Sequence, residues 1–490
     1  MTGSPREKWE GRSEIHSAIT GTTSDALASK LASFYLDLHQ DWTWVSRRVE
    51  TVEMVDLENR QRRVSIDIHV SAVVERARAA GLEEYPELPV PLGLITKGLL
   101  LDYDVRDESD ASVSVFTSSQ DARLGRLALL ELARRDFPLP NDHDVVRDIE
   151  HLFLDAAELT PTFKSMSDYL KLGERIEPSF LPHAHNDAQA YWSAIAQHPE
   201  LLRLLSTLTA SFAPVVWFPL SGQLEIVKYR RVENEPDALF GPNSEENAAV
   251  WRDRFLRPTL PYTLRAANIG YASREHLRLT APEGTFFGAS TIVPAVPSGV
   301  SKVEYRERWT ADRTLFFSTG QKPGNYYVLG ALYPQEHGFF TPAILLAASA
   351  TILVLVGGVS ELMPFHFLEM VQHDIEAAVA LMLLIPSIFI AFIIRDNEHA
   401  ARRRLLRRFR TLTLTLTVVP VVTAAVSLFA NFNDLWWLFG VIWVFLGLFP
   451  GALIVGLIVE RNALKTMMSA VEERSTMDVD KVVEWRRVQA

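Results

Sequence analysis

His183, His185 and Asp187 stand at alternate positions. In an extended strand, alternate side chains leave the backbone on one face. Two imidazoles and a carboxylate so placed could hold a divalent metal and serve a hydrolase. Against that, Pro182 precedes the group and no second ligand cluster accompanies it, which suits a surface loop. His366, Glu369 and His373 are spaced by three and four, so a helix would put them on one face. They could bind a metal or sense acid pH. Their spacing matches no zinc signature, and the neighbouring Phe365, Phe367, Leu368 and Val371 suit an interfacial helix instead. Asp102, Asp104, Asp107 and Asp110 surround a turn, but lack the glycine and terminal glutamate of a calcium loop.

Several chemistries are excluded outright. The 490-residue chain has no cysteine, which removes disulfides, thiolate metal sites, iron–sulfur clusters and cysteine nucleophiles. There is no Walker A loop, dinucleotide fingerprint, nucleophile elbow or HExxH motif. No catalytic residue is assigned and no cofactor is indicated. The net charge is −11, and residues 341–490 carry 13 basic and 13 acidic side chains, so the acidic surplus rests on the preceding region. Such a region is a poor electrostatic partner for nucleic acid.

The elements that would position these residues divide the chain in five. Residues 1–23 are polar and read as a flexible arm without a secretory signal. Residues 24–258 read as a cytoplasmic α+β region. Leu27, Leu31, Phe34 and Leu38 mark a helix over Asp25–Gln40. Val64, Ile66, Ile68 and Val70 alternate with polar residues and mark a strand, with Val45–Val55 as its hairpin partner. Leu82–Pro91 reads as a loop, and Leu94–Val105 with Ser112–Phe116 as a strand pair. Helices are expected over Gln120–Arg135, Asp144–Glu158 and Asp187–Leu208. Val215–Pro219 with Leu224–Tyr229 reads as a hairpin. Residues 259–339, with short strands punctuated by Gly and Pro, form a β-rich, sandwich-like module. Residues 460–490 form a charged helical tail.

Four apolar runs, Phe340–Val359, Ala377–Ile394, Thr411–Ala430 and Leu435–Val459, contain no charged residue. Each has about the 20 residues that cross a bilayer. The expectation is therefore an α+β cytoplasmic region followed by a four-helix transmembrane bundle. Arg395, Arg402, Arg403, Arg404, Arg407, Arg408 and Arg410 lie between the second and third runs. Basic residues favour the cytoplasmic side, which predicts a multi-pass bacterial inner-membrane protein with both termini in the cytoplasm. Membrane lipids are expected partners, with anionic headgroups facing the arginines. Pro386, Pro420 and Pro450 would kink three of the helices, and Gly447 and Gly451 would allow close helix packing.

Three segments, PLGLITKGLLLDYDVRDE at 91–108, residues 260–285 ending in LRLTAPEGT, and LLIPSIFIAFIIRDNEHAARRRLLRRFR at 383–410, resemble a group of uncharacterised actinobacterial integral membrane proteins. The resemblance implies a large cytoplasmic β-rich region before C-terminal spans, and no activity.

The leading functional expectation is a cytoplasmic region that binds a small-molecule ligand or a protein and is coupled to the helices after it. The alternatives are a pore or permeability effector and a membrane-anchored, metal-dependent hydrolase. Oligomeric state is left open by the sequence.

Overall fold

The computed structural model describes residues 5–21, 25–56, 59–96, 100–136, 199–221, 225–234, 259–288, 290–294, 305–310, 313–319, 324–335, 340–362, 399–407, 410, 411, 414, 415, 418 and 436–476. Residues 5–20, expected within a flexible arm, instead form helix α1 (Pro5–Thr20). Ile15, Ala18 and Ile19 bury one face of it. Helix α2 (Asp25–Gln40) buries Leu27, Leu31, Phe34, Tyr35 and Leu38, the spacing of an amphipathic helix.

The hairpin β1 (Val45–Met54) and β2 (Asn59–Ile68) is antiparallel, as the alternation predicts. The second strand stops at Ile68, and Val70 instead opens helix α3 (Val70–Ala79). Residues 82–91 are not all loop, because β3 (Glu87–Pro91) pairs with β7 (Val215–Pro219). Two short strands, β4 (Ile95–Thr96) and β6 (Ser211–Phe212), pair beside them. The expected hairpin of Val215–Pro219 with the next strand is corrected: β8 (Ile226–Asn234) pairs with β2 and with β5 (Leu100–Arg106). Helices α4 (Ser118–Asp136) and α5 (Pro199–Ala210) complete the helical part described.

Two sheets dominate. The larger has seven strands in the order β13 (Tyr305–Thr310), β14 (Arg313–Thr319), β10 (Arg274–Thr280), β1, β2, β8, β5. Its β1 and β10 run parallel, and the pairing joins segments more than two hundred residues apart. In the smaller sheet, β15 (Gly324–Pro334) pairs with β9 (Leu260–Ile269), β11 (Thr285–Phe287) and β12 (Thr291–Pro294). One face of the large sheet serves two cores. Val64, Ile66, Val105, Val227 and Tyr229 pack under the helices α1–α4. Val52, Met54, Leu277, Leu279 and Phe316 pack on Leu260, Leu264, Val328 and Leu332 of the small sheet. The second core is the sandwich-like part.

The C-terminal part is a pair of helices, α6 (Phe340–Leu362) and α8 (Trp436–Thr476), packed on each other, with the shorter helix α7 (400–407) between them in sequence. Among the described residues no helix is long and apolar enough to cross a membrane. The expected four-helix transmembrane bundle, its topology and the inner-membrane location are corrected accordingly. Apolar residues of the first run are occupied by protein: Phe340, Ala343 and Ala347 pack with Phe286, Leu406, Leu453 and Leu457. The helix that contains the fourth run continues without a break through Glu460, Arg461 and Lys465. The second run, and the third apart from residues 411, 414, 415 and 418, lie outside the described residues.

Candidate functional site

On strands, charged residues at alternate positions share a face. Arg48 and Glu50 on β1, Arg60 and Arg62 on β2, and Arg231 and Glu233 on β8 all do so, and the face is the buried one. Register brings them together: Arg62 lies opposite Arg231, Arg60 opposite Glu233, and Arg48 opposite Glu275 of β10. The result is a charged seam across the sheet, between the helical core and the sandwich core.

The seam is a chain of ion pairs. Arg48 bonds Glu50. Arg62 reaches Glu50 at 2.7 Å and Glu233 at 2.5 Å, and Arg231 reaches the other oxygen of Glu233 at 2.6 Å. Arg62 also donates to the carbonyl of Arg265 on the small sheet, 2.8 Å away. Arg60, fully buried, donates to the carbonyls of Asp56 and Asn59 and holds the hairpin turn.

Burial and charge act on these groups in opposite directions. Burial would raise the Glu50 carboxyl, but the charges of Arg48, Arg62 and Arg231 outweigh it and hold Glu50 well below the carboxylate range. Glu275 goes the other way. Burial pushes it up to about 7, although Arg48 and the backbone N–H groups of Gly270 and Tyr271 oppose the rise. Those two N–H groups donate to its carboxylate at 2.7 and 2.9 Å. A buried ion pair gains little net stability over packed apolar side chains, because desolvation offsets its attraction. Such a seam, with one carboxyl poised near neutrality, is a physical reason to suspect a site.

At the β5 end the seam becomes aromatic. Tyr103 and Tyr229 lie with ring centroids 6.1 Å apart, and the Arg231 guanidinium lies 5.6 Å from the Tyr229 centroid. The Tyr103 hydroxyl, the Tyr229 hydroxyl and Nη1 of Arg231 are closed to solvent and have no hydrogen-bond partner among the described residues. Leaving a buried donor unmet costs about 1–3 kcal/mol, and more for a charged one. Burial raises the Tyr103 phenol far above its ordinary value, and Tyr229 adds to the rise while Arg231 opposes it.

A second junction ties the sheets to the C-terminal helices. Helix α7 buries Ala401 and Leu405 in the sandwich core and Leu406 in the core of α6 and α8. His399 stands at its start. The ring Nδ1 accepts from the Ala401 N–H at 3.2 Å, which leaves Nε2 as the donor to the Met54 carbonyl at 2.9 Å. Gly284, at φ +75°, lies against Arg402: a Cβ there would come within 2.6 Å of Arg402 Nη1.

The residues singled out by sequence fall elsewhere. His183, His185, Asp187, His366, Glu369, His373, Arg395, Arg408, Pro386 and Pro420 lie outside the described residues. Among the described residues no group of three or more potential ligands could hold a metal ion. Arg403, Arg404 and Arg407 form the exposed face of α7, and Arg402 and Arg410 are partly covered. Arg403, Arg404 and Arg407 are thus the exposed side of a helix whose other side is buried by Ala401, Leu405 and Leu406. Pro450 lies inside α8, and a Cβ on Gly451 would sit 3.7 Å from the Thr351 methyl of α6. Asp102 pairs with Arg230, and Asp104 and Asp110 pair with Arg106. Asp107 accepts from Ser109 and from the Ala111 N–H. The aspartate turn is thus closed by its own bonds.

No family model matches the chain, and no curated protein is similar to it. The functional reading therefore rests on the seam and the junction. Sequence reasoning missed the seam because charged residues alternating on a strand look like a solvent face. The one available signal was that both faces of β1 and β2 carry charge.

Proposed function

We propose that the α+β region is a binding module for a ligand or protein partner, and that the helix pair α6/α8 responds to what it binds. The observation that carries this is the position of α7. It inserts Ala401 and Leu405 between the two sheets while the adjacent Leu406 packs among α6 and α8. Phe286 on β11 joins the same C-terminal core and stacks on Tyr333 of β15, ring centroids 5.5 Å apart. A change in how the sheets pack is thus passed to the helices through contiguous apolar contacts. Buried interfaces of this kind shift between discrete packings rather than deforming smoothly.

The test is a small-metabolite screen on the full chain by thermal unfolding, followed by hydrogen exchange on any binder. The expected result is slower exchange in β1, β2 and β8 together with altered exchange in 340–362 and 436–476. A binder that protects the strands and leaves both helices unchanged overturns the coupling.

A further inference from the structure

The edge strand β5 is irregular where it passes Arg231. Its pairing with β8 shifts register between Leu101 and Asp104, and Asp102 within the shift has φ 54°. A non-glycine residue in this region is strained, and such strain gathers at functional positions. A bulge re-aims side chains at a sheet edge. Here Asp102 is turned outward to pair with exposed Arg230. Tyr103 is left partly open to solvent at its ring, with its hydroxyl closed in.

Three donors are then adjacent and unmet: Nη1 of Arg231 and the hydroxyls of Tyr103 and Tyr229. The ion-pair chain behind them links Arg48, Arg62 and Arg231 to Glu50 and Glu233, with Glu275 opposite Arg48 as a further carboxyl. Asp121 of α4 also faces this region. Its carboxylate accepts from Tyr35 at 3.4 Å. Buried donors without acceptors, one of them a guanidinium nitrogen, are the chemistry of an anion site.

We propose that the β5 edge is a binding site for a small carboxylate, held by Nη1 of Arg231 and the hydroxyls of Tyr103 and Tyr229 and admitted past the Asp102–Tyr103 bulge. A carboxylate brings one negative charge to a region that already holds Asp121, whereas a phosphate dianion would bury two. The proposal names the ligand class for the binding module inferred above and rests on that reading.

The test uses the full chain and acetate as the probe, with chloride and inorganic phosphate as comparisons at equal ionic strength. Acetate is expected to raise the unfolding temperature above that in chloride, and phosphate is expected to do less than acetate. In the double variant Tyr103→Phe/Tyr229→Phe, which removes only the two unmet hydroxyls, the chain is expected to fold as before in chloride. Its acetate affinity should fall about tenfold or more, the scale of losing hydrogen bonds to a charged group. The single variant Tyr103→Phe, at the strand edge, gives the same readout with less disturbance of the core. Equal acetate effects in wild type and variants overturn the site, and a stronger effect of phosphate overturns the carboxylate assignment. Hydrogen exchange with acetate bound separates the two readings: unchanged helices 340–362 and 436–476 count against the coupling and leave the carboxylate site standing.

Discussion

Arg62 on the seven-stranded sheet donates to the backbone carbonyl of Arg265 on the small sheet, 2.8 Å away, while its other nitrogens hold Glu50 and Glu233. One side chain thus closes the ion-pair chain and ties the two layers of the sandwich. Its planar, forked guanidinium suits this task, and an ammonium could not serve three acceptors with the same geometry.

Arg62→Met is expected to destabilise the chain by about 3–5 kcal/mol, the range for removing one partner from a buried charged group. Glu50 and Glu233 would each lose a cation. Adding Glu50→Gln and Glu233→Gln should deepen the loss, because Arg48 and Arg231 would then be buried without their carboxylates. Urea unfolding at neutral pH reads both effects. A triple variant more stable than Arg62→Met alone would show that Arg48 and Arg231 do not depend on these carboxylates.

Glu275 makes stability fall as pH rises. Its carboxyl titrates near 7 in the folded chain against an ordinary 4.5, so the folded state holds the extra proton between these values. The contribution is complete below pH 4.5 and is lost as pH climbs through 7. The span corresponds to roughly 3 kcal/mol. In Glu275→Gln the amide oxygen can take the place of only one of the two oxygens that accept from Gly270 and Tyr271, and this pH slope should vanish. Relative to wild type, the variant is expected to gain stability as pH rises from 4.5 to 8.

His39 tilts the curve the opposite way. Burial holds its imidazole down at about 4 against an ordinary 6.5, with its ring against Tyr35 and Trp42. The unfolded chain takes up the proton first, so stability is complete above pH 6.5 and is lost as pH falls towards 4. Between pH 4.5 and 6.5 the two slopes oppose each other, and His276, lowered by burial and by neighbouring arginines, adds to that of His39. His39→Phe keeps an aromatic ring in the packing and removes the titration. Relative to wild type, its stability is expected to rise as pH falls across that window, which isolates the His39 contribution.

These groups also show what could be read from the residue pattern. The β1–β2 hairpin was legible because Val64, Ile66 and Ile68 alternate with polar residues. The seam was not, because Arg60 and Arg62 continue the same inward alternation with charges, and only pairing with β8 and β10 supplies their partners. Pairing of β1 with β10 depends on a contact distant in sequence, which local periodicity cannot reveal. The Arg-rich stretch was conspicuous for its charge, yet its role in the described fold is carried by Ala401, Leu405 and Leu406. Ala401 and Leu405 share a helical face, Leu406 lies beside it, and all three were hidden among the arginines.

That face is tested most directly at Gly284. Its left-handed backbone disfavours any side chain, and a Cβ would press on the Arg402 guanidinium. Strain of this kind costs about 1–2 kcal/mol before any clash is counted. Gly284→Ala is therefore expected to lower stability by about that much or more, and to speed hydrogen exchange in 400–407 while β1 and β2 stay protected. Leu405→Ala should reach the same locally opened state by another route, since truncating a buried leucine costs about 2–5 kcal/mol. If Arg402 transmits the effect of the new methyl group, Gly284→Ala and Arg402→Ala are not additive. The double variant should be at least about 0.5 kcal/mol more stable than the sum of the single changes predicts, the scale for residues in contact. Strict additivity would place the whole effect of Gly284→Ala in the backbone and none in the α7 contact.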